Sequence, residues 1–220
     1  MTFVVIEGID GCGKSEQSSR LARTLGAKLY SFPNYATETG VAIKAHLSRL
    51  WAAQYRGLGP GGEGRVAAAT DALVFQCLQL ANKVELADDI RQDLWAGRHV
   101  LAARYWPSAV VYGTADGLAP AWLLGVHRAL PQPGVFVLLD IDVEESFRRR
   151  PYDGDRYESD RVGLAHAREL YRELWESKGD RVIAPHARWV VLDGAAGDVD
   201  VMEKELSHQI TRWQLEAYRA

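Results

Sequence analysis

Cysteine is scarce in this chain, and several function classes fall with it. Only Cys12 and Cys77 are present among 220 residues. That is too few for a disulfide framework, and no cysteine or histidine cluster has metal-ligand spacing. Cys12 sits in a glycine-rich loop that a disulfide would obstruct, so both residues are expected as free thiols in a reducing cytoplasm. Cys77 is expected as a small buried helix residue. A strong charge excess is also lacking: the net charge is −3, which argues against a general nucleic-acid binder or an acidic-membrane binder. No stretch is long and apolar enough to span a bilayer, and Glu7 and Asp10 interrupt the first apolar run where a secretory signal would need it unbroken. Internal repeats and low-complexity tracts are missing too. What is left is one compact domain over residues 1–220, with small mobile attachments.

The chain is organised around its first residues. Phe3 to Ile6 is apolar and β-branched, a pattern that predicts a buried parallel strand. Gly8 to Ser15 follows as G-x-x-x-x-G-K-S. Gly8, Gly11 and Gly13 allow successive backbone N–H groups to face one concavity, with Asp10 and Cys12 between them. Lys14 reaches β- and γ-phosphates in such a loop, and the Ser15 hydroxyl binds Mg²⁺. A helix opening at Ser15, with Glu16 in its first turn, adds its positive end to the field. These residues predict a nucleotide-phosphate cradle. They do not by themselves name a reaction.

Downstream the pattern alternates. Helices are expected over Ser15–Gly26, Thr37–Trp51, Val66–Ala96 as one long element, Pro107–Tyr112, Pro120–Leu130, Val143–Arg150, Asp160–Ser177 and Val199–Tyr218. Strands are expected over Lys28–Phe32, His99–Ala103, Gly134–Ile141 and Trp189–Leu192. Arg56–Gly64 and Pro151–Ser159 read as loops. Strands alternating with helices behind a phosphate loop predict an α/β fold, a doubly wound parallel five-stranded sheet flanked by helices, with the ligand at the strands' C-terminal ends.

Five segments then carry a resemblance. They are Glu7-Gly-Ile-Asp-Gly-Cys-Gly-Lys-Ser15; Phe32-Pro33-Asn34-Tyr35 with Thr37 to Gly40; Leu80-Ala-Asn-Lys-Val-Glu85; Arg104-Tyr105-Trp-Pro-Ser108, ending in Tyr112; and Asp155-Arg156-Tyr157-Glu158, with Arg168 and Tyr171 one helix later. In this order and spacing they resemble the thymidylate kinase family of P-loop nucleoside monophosphate kinases, over nearly the whole chain. The resemblance implies transfer of the γ-phosphoryl group from ATP, with Mg²⁺, to a pyrimidine deoxynucleoside monophosphate. It implies Arg104 on the acceptor phosphate, where a guanidinium forks two N–H bonds; the alternative is a surface ion pair. It implies Asp10 on the acceptor sugar hydroxyl, or else Asp10 is a turn residue of the loop. Phe32, Pro33, Phe75, Asn82, Tyr105, Ser108 and Tyr112 fall in the acceptor region.

A lid over ATP is expected at about 148–160. Arg148, Arg149, Arg150 and Arg156 flank it, one or two of them being candidates to close on transition-state charge, with a solvated basic helix end as the other reading. Glu158 orients the lid or sugar, or pairs with an arginine. A homodimer through the long helix is implied as well, although Leu73, Leu80 and Leu86 can equally face the chain's own core.

Four positions depart from the family pattern. Ala103 stands where the family's Asp-Arg-Tyr motif has its Asp, whose loss slows the reaction by roughly several kcal/mol; the alanine is natural or introduced. Gln79 replaces a base-stacking Phe, Lys83 a base-reading Arg, and Tyr35 a phosphate-binding Arg, with Phe75 and Leu78 offering apolar contact one turn earlier. The expected acceptor is a pyrimidine deoxynucleotide, thymidylate or one bulkier or more polar at C5. The competing readings are a non-catalytic nucleotide binder and a P-loop kinase of another small molecule such as a nucleoside.

Overall fold

In the computed structural model the described residues are 1–55, 64–149, 161–177 and 183–194, with 204, 207–208 and 210–212. The strands are β1 (Phe3–Glu7), β2 (Lys28–Ser31), β3 (Val100–Ala103), β4 (Val135–Asp140) and β5 (Arg188–Asp193). They form one five-stranded sheet in the order β2-β3-β1-β4-β5, and all pairs are parallel. The three central strands are the ones with unbroken apolar runs. Phe3 to Glu7 and Val100 to Ala103 are wholly buried, as is β4 up to its last residue. Covered on both faces, such strands tolerate no alternation. The edges β2 and β5 alternate in exposure instead.

The helices are α1 (Lys14–Leu25), α2 (Glu38–Tyr55), α3 (Gly64–Glu85), α4 (Ala87–Trp95), α5 (Trp106–Ala115), α6 (Pro120–Val126), α7 (Val143–Arg149) and α8 (Arg161–Glu176). A 3-10 turn, His127–Ala129, follows α6 and ends the segment expected as one helix to Leu130. On one face of the sheet Trp106, Phe136, Trp175 and Trp189 form an aromatic cluster, with Phe136 stacked on Trp189 at 4.2 Å and Trp175 edge-on to Trp189 at 4.7 Å. Chain crossovers leave β1 between β3 and β4, so the connection reverses direction at its C-terminal end. That is the crevice in which open α/β sheets bind ligands.

Two expectations are corrected. The long helix over Val66–Ala96 is two helices, broken at Leu86, whose φ is −102° and ψ 0°. No glycine or proline marks the break. Asp88 and Asp89 in the first turn of α4 favour a new helix N-terminus there, and the break turns Ala87 and Ile90 into the core. Cys77 is exposed on α3, not buried. Of the three leucines, Leu80 and Leu86 pack on the chain's own core, whereas Leu73 is exposed. Of the expected loop Arg56–Gly64, residues 56–63 lie outside the described residues and Gly64 opens α3; the expected loop at 151–159 lies outside them too, as does most of the expected last helix, whose described residues are helical.

Candidate functional site

β1 delivers the glycine loop to the crevice. Gly8 has φ +144°, and a Cβ there would sit 2.5 Å from the Leu139 carbonyl oxygen; Gly11 has φ +76° and would meet the Ser146 carbonyl at 2.8 Å. Side chains at either position would force the loop off β4 and α7. Gly13, at φ +94°, caps α1. Lys14 is buried, its Nζ donating to the carbonyls of Gly8 at 2.8 Å and Ile9 at 2.7 Å, with the Asp10 carboxylate 3.8 Å away. Burial lowers its pKa below that of a free lysine, and Arg104 adds to the effect. Cys12 is buried behind the loop, its Sγ 3.5 Å from Lys14 Nζ.

Arg104 follows β3 with φ +64°, a conformation rare for a side-chain-bearing residue. Its N–H bonds the Ile6 carbonyl at 2.9 Å, which ties the turn to β1, and its guanidinium pairs with Asp10. The ion pair is therefore inside the site and not on the surface. Burial is the largest single influence and opposes the charge, yet Asp10 together with Tyr112, Tyr171 and Glu7 outweighs it and holds the pKa well above the ordinary value.

Glu7 is wholly buried at the end of β1. Its Oε1 accepts from the Tyr105 N–H at 2.7 Å and the Ser108 N–H at 3.3 Å. Its Oε2 accepts from the Ser108 hydroxyl at 2.5 Å and Tyr171 at 3.0 Å. This carboxylate sets the path of the 104–108 segment. Sequence reasoning passed over it as a site residue, although a carboxylate ending an otherwise apolar buried strand must find partners.

Two cavities open here. One, of about 400 Å³, is lined by Gly11, Gly13, Lys14, Ser15, Glu16, Ser31, Phe32, Ala103, Arg104 and Arg149. The other, of about 130 Å³, is lined by Asp10, Phe32, Pro33, Tyr35, Leu47, Phe75, Gln76, Gln79, Lys83, Arg104, Tyr105, Ser108, Ala109 and Tyr112. Phe32 and Arg104 border both. The Phe32–Pro33 peptide is cis. Thus nearly all the sequence-predicted residues come together. Arg149 lines the larger cavity, held by Glu145 at 2.6 Å and the Gly194 carbonyl at 2.8 Å. Its neighbour Arg148 turns away onto Glu145. Arg150, Arg156 and Glu158 lie outside the described residues.

Asn82 lines neither cavity. It is wholly buried and works on the loop after β2. Its Oδ1 accepts from the Asn34 N–H at 2.7 Å, and its Nδ2 donates to the Asn34 carbonyl and the Thr37 and Thr39 hydroxyls. Glu85 adds a bond from the Thr39 hydroxyl at 2.5 Å. Lys83 is also buried; its Nζ donates to the Gln79 carbonyl at 3.0 Å and Gln79 Oε1 at 3.3 Å and lies 5.8 Å from the Phe32 ring centre. Burial lowers its pKa to about 7, against the pull of Glu7 and with help from Arg104. Burial raises the phenol pKa values of Tyr105 and Tyr112, so both stay neutral donors. Gln76, Leu47 and Ala109 were not anticipated. For Gln76 the signal was present as spacing: 76, 79 and 83 fall on one face of a helix.

The donor set suits a magnesium nucleotide. Ser15 and Glu16 offer hard oxygens, Lys14, Arg104 and Arg149 offer cations for phosphates, and the cradle leaves no room for a Cβ at Gly8 or Gly11. Among the described residues no helix is long and apolar enough to cross a membrane.

Comparisons with known proteins return one kind of relative. The family model described as thymidylate kinase matches residues 63–188. A probable thymidylate kinase of Thermococcus gammatolerans is 34% identical over 181 residues, covering 79% of this chain and 83% of that protein. One of Methanococcus maripaludis is 26% identical over 209 residues, covering 94% of each. Among solved structures, a thymidylate kinase from Candida albicans superposes with a TM-score of 0.75 at 24% identity, over 97% of this chain and 92% of that one. At that identity the superposition speaks for the fold.

Proposed function

The chain belongs to the thymidylate kinase family, whose members are nucleoside monophosphate kinases, and from that premise we propose how its two cavities divide the work. The larger takes the triphosphate of ATP and the smaller a pyrimidine deoxynucleoside monophosphate, thymidylate or a C5-modified relative. The observation that carries this reading is their shared border at Arg104 and Phe32. An acceptor phosphate against Arg104 then faces a γ-phosphate held by Lys14.

In that arrangement an oxygen of the acceptor monophosphate attacks the γ-phosphorus in line, the bond to the β–γ bridging oxygen breaks, and ADP leaves. The nucleophile is already an anion, so no general base is required. The protein supplies position and charge. Loop amides and Lys14 hold the donor phosphates, Arg104 forks onto the acceptor phosphate, and Asp10 accepts the acceptor's sugar hydroxyl. Arg149 borders the donor phosphates. Mg²⁺, held through Ser15, would neutralise charge between the donor's phosphates. Glu7 keeps Arg104 in register through the 105–108 backbone. A lid at about 148–160, carrying Arg150, Arg156 and Glu158, would close over the donor.

A homodimer fits the same reading. Leu73, Val74 and Val84 on α3 and Val41 on α2 are all more than two-fifths exposed, an apolar surface of the kind that a second copy covers. Sedimentation of the chain and of Leu73→Asp tests it: a wild-type monomer removes the dimer. A reducing cytoplasm suits the two free thiols.

The test of function is a coupled ADP-release assay over a panel of deoxynucleoside monophosphates, run on this chain and on Ala103→Asp. Turnover of a pyrimidine monophosphate by either form supports the proposal. ATP binding without turnover by either form would move the reading to a non-catalytic nucleotide binder, which Ala103 favours.

A further inference from the structure

The guanidinium of Arg149 is pinned by two acceptors that are far apart in the chain. Its Nε donates to Glu145 Oε1 at 2.6 Å within α7, and its Nη1 donates to the Gly194 carbonyl at 2.8 Å, just past β5. Its side chain lines the larger cavity, and its Nη2 edge bonds to none of the described residues. Gly194 is fixed in turn. Its N–H donates to the Asp140 carbonyl at 2.7 Å, and a Cβ there would fall 2.4 Å from Ile141 Cγ2, so a side chain would push this carbonyl away.

The same helix is tied to the phosphate cradle. Ser146, buried, donates its hydroxyl to the Asp10 carbonyl at 2.5 Å, and Gly11 packs so closely on Ser146 that a Cβ would meet its carbonyl oxygen at 2.8 Å. Neighbouring residues of α7 thus hold the glycine loop and, through Glu145, the arginine that borders the donor cavity.

An i,i+4 ion pair on a helix contributes little to stability and requires no function. Two features set this one apart. The Gly194 carbonyl adds nothing to helix formation, yet it fixes the far side of the guanidinium. Glu145 is also shared, because Arg148 binds both of its oxygens, at 2.7 and 2.8 Å. One carboxylate between two guanidiniums leaves a positive charge uncancelled, so Arg149 is held still and remains attractive to an anion. Hydrogen bonds from Arg148 and Arg149 bring the Glu145 carboxyl down to about 2, and the arrangement persists at any working pH.

We propose that Glu145 is a positioning residue for phosphoryl transfer: it holds Arg149 with its Nη2 edge toward the donor's phosphates, where charge develops as the phosphoryl group moves. This rests on the larger cavity taking the triphosphate of ATP. A cation fixed before the substrate arrives costs no reorganisation during the reaction, and small departures from the productive geometry are costly.

The experiment is a double-mutant cycle of Glu145→Ala, Arg149→Ala and the two together, with Glu145→Gln beside it. It is read as kcat/KM for ATP in the Ala103→Asp background and as the Kd of Mg·ATP by calorimetry. Glu145→Ala should lower kcat/KM for ATP by about 10- to 10²-fold and weaken Mg·ATP about threefold or more, with KM for the acceptor unchanged. Made in Arg149→Ala, the same change should matter by less than about twofold, because its effect passes through the arginine. Glu145→Gln keeps an oxygen for the Arg149 Nε–H and should return to within about threefold of the parent. A purely structural role would instead lower thermal stability and raise both KM values in either background. Should no form turn over, the same cycle read in Kd decides the matter. An undiminished Glu145→Ala, an equal loss in the Arg149→Ala background, or a glutamine variant no better than alanine overturns the assignment and leaves the two-cavity reading intact. A parent protein that binds no Mg·ATP overturns both.

Discussion

Burying Lys83 has a stability consequence that can be measured without any substrate. A lysine whose pKa falls from 10.5 to about 7 loses about 5 kcal/mol of preference for its charged form, at about 1.36 kcal/mol per unit. The unfolded chain holds the proton up to about pH 10.5, whereas the folded chain releases it near pH 7. The unfolded state therefore binds more protons between these values, and stability must rise with pH across that window. The cost is fully present below pH 7 and is relieved above it. Glu7 pulls toward the charged form and Arg104 against it; nearby His127, whose pKa burial lowers to about 4, is neutral throughout the range. The clean perturbation is Lys83→Met, which keeps the volume and removes the proton. Urea unfolding of both proteins from pH 6 to pH 9 cancels every other titration. Lys83→Met should be the more stable at pH 6, and its advantage should shrink by about 3 kcal/mol by pH 9. Parallel stability curves would refute the reasoning, and an advantage that grew with pH would reverse its sign.

Other expectations follow from single residues. Ala103 lines the donor cavity beside Lys14 and Ser15; Ala103→Asp should raise kcat by about 10²-fold or more, measured by ADP release at saturating substrates. Asn82→Ala removes four hydrogen bonds to the loop after β2, and should cost about 2–3 kcal/mol in urea unfolding while raising KM for the acceptor and leaving that for ATP unchanged. At Gly40 a Cβ would fall 1.8 Å from the Asn34 carbonyl oxygen, whereas at Gly97, φ +78°, nothing lies within 4 Å. Gly40→Ala should therefore lose about 2 kcal/mol or more and disturb acceptor binding, and Gly97→Ala only about 1 kcal/mol of backbone strain with activity unchanged.

The glycine loop was legible in the residue string because its requirements are local. Three glycines, a lysine and a serine at fixed spacing behind an apolar strand determine both a backbone path and a charge, and their contacts with β4 and α7 follow from that path. The sheet was legible for a similar reason: strands buried on both faces must be apolar throughout, and Phe3–Ile6, Val100–Ala103 and Val135–Leu139 are. Strand order was another matter. That β1 lies between β3 and β4 depends on which apolar faces the helices cover, and no local pattern encodes it.

The break at Leu86 was hidden because helical periodicity runs through it. Only the pull of Asn82 and Glu85 toward the loop after β2, and of Ala87 and Ile90 toward the core, forces the new axis. Gln76 and Glu7 were hidden in the opposite sense. Their residue types were plain, but a glutamine on a helix or a glutamate at a strand end is ordinary until its surroundings are known. By itself the sequence determined a phosphate cradle on a parallel sheet and the family to which it belongs. The tertiary structure alone decided that Arg104 pairs with Asp10 between two cavities, and that Glu7 holds the backbone of Tyr105 and Ser108, because burial and pairing arise between segments that are far apart in the chain.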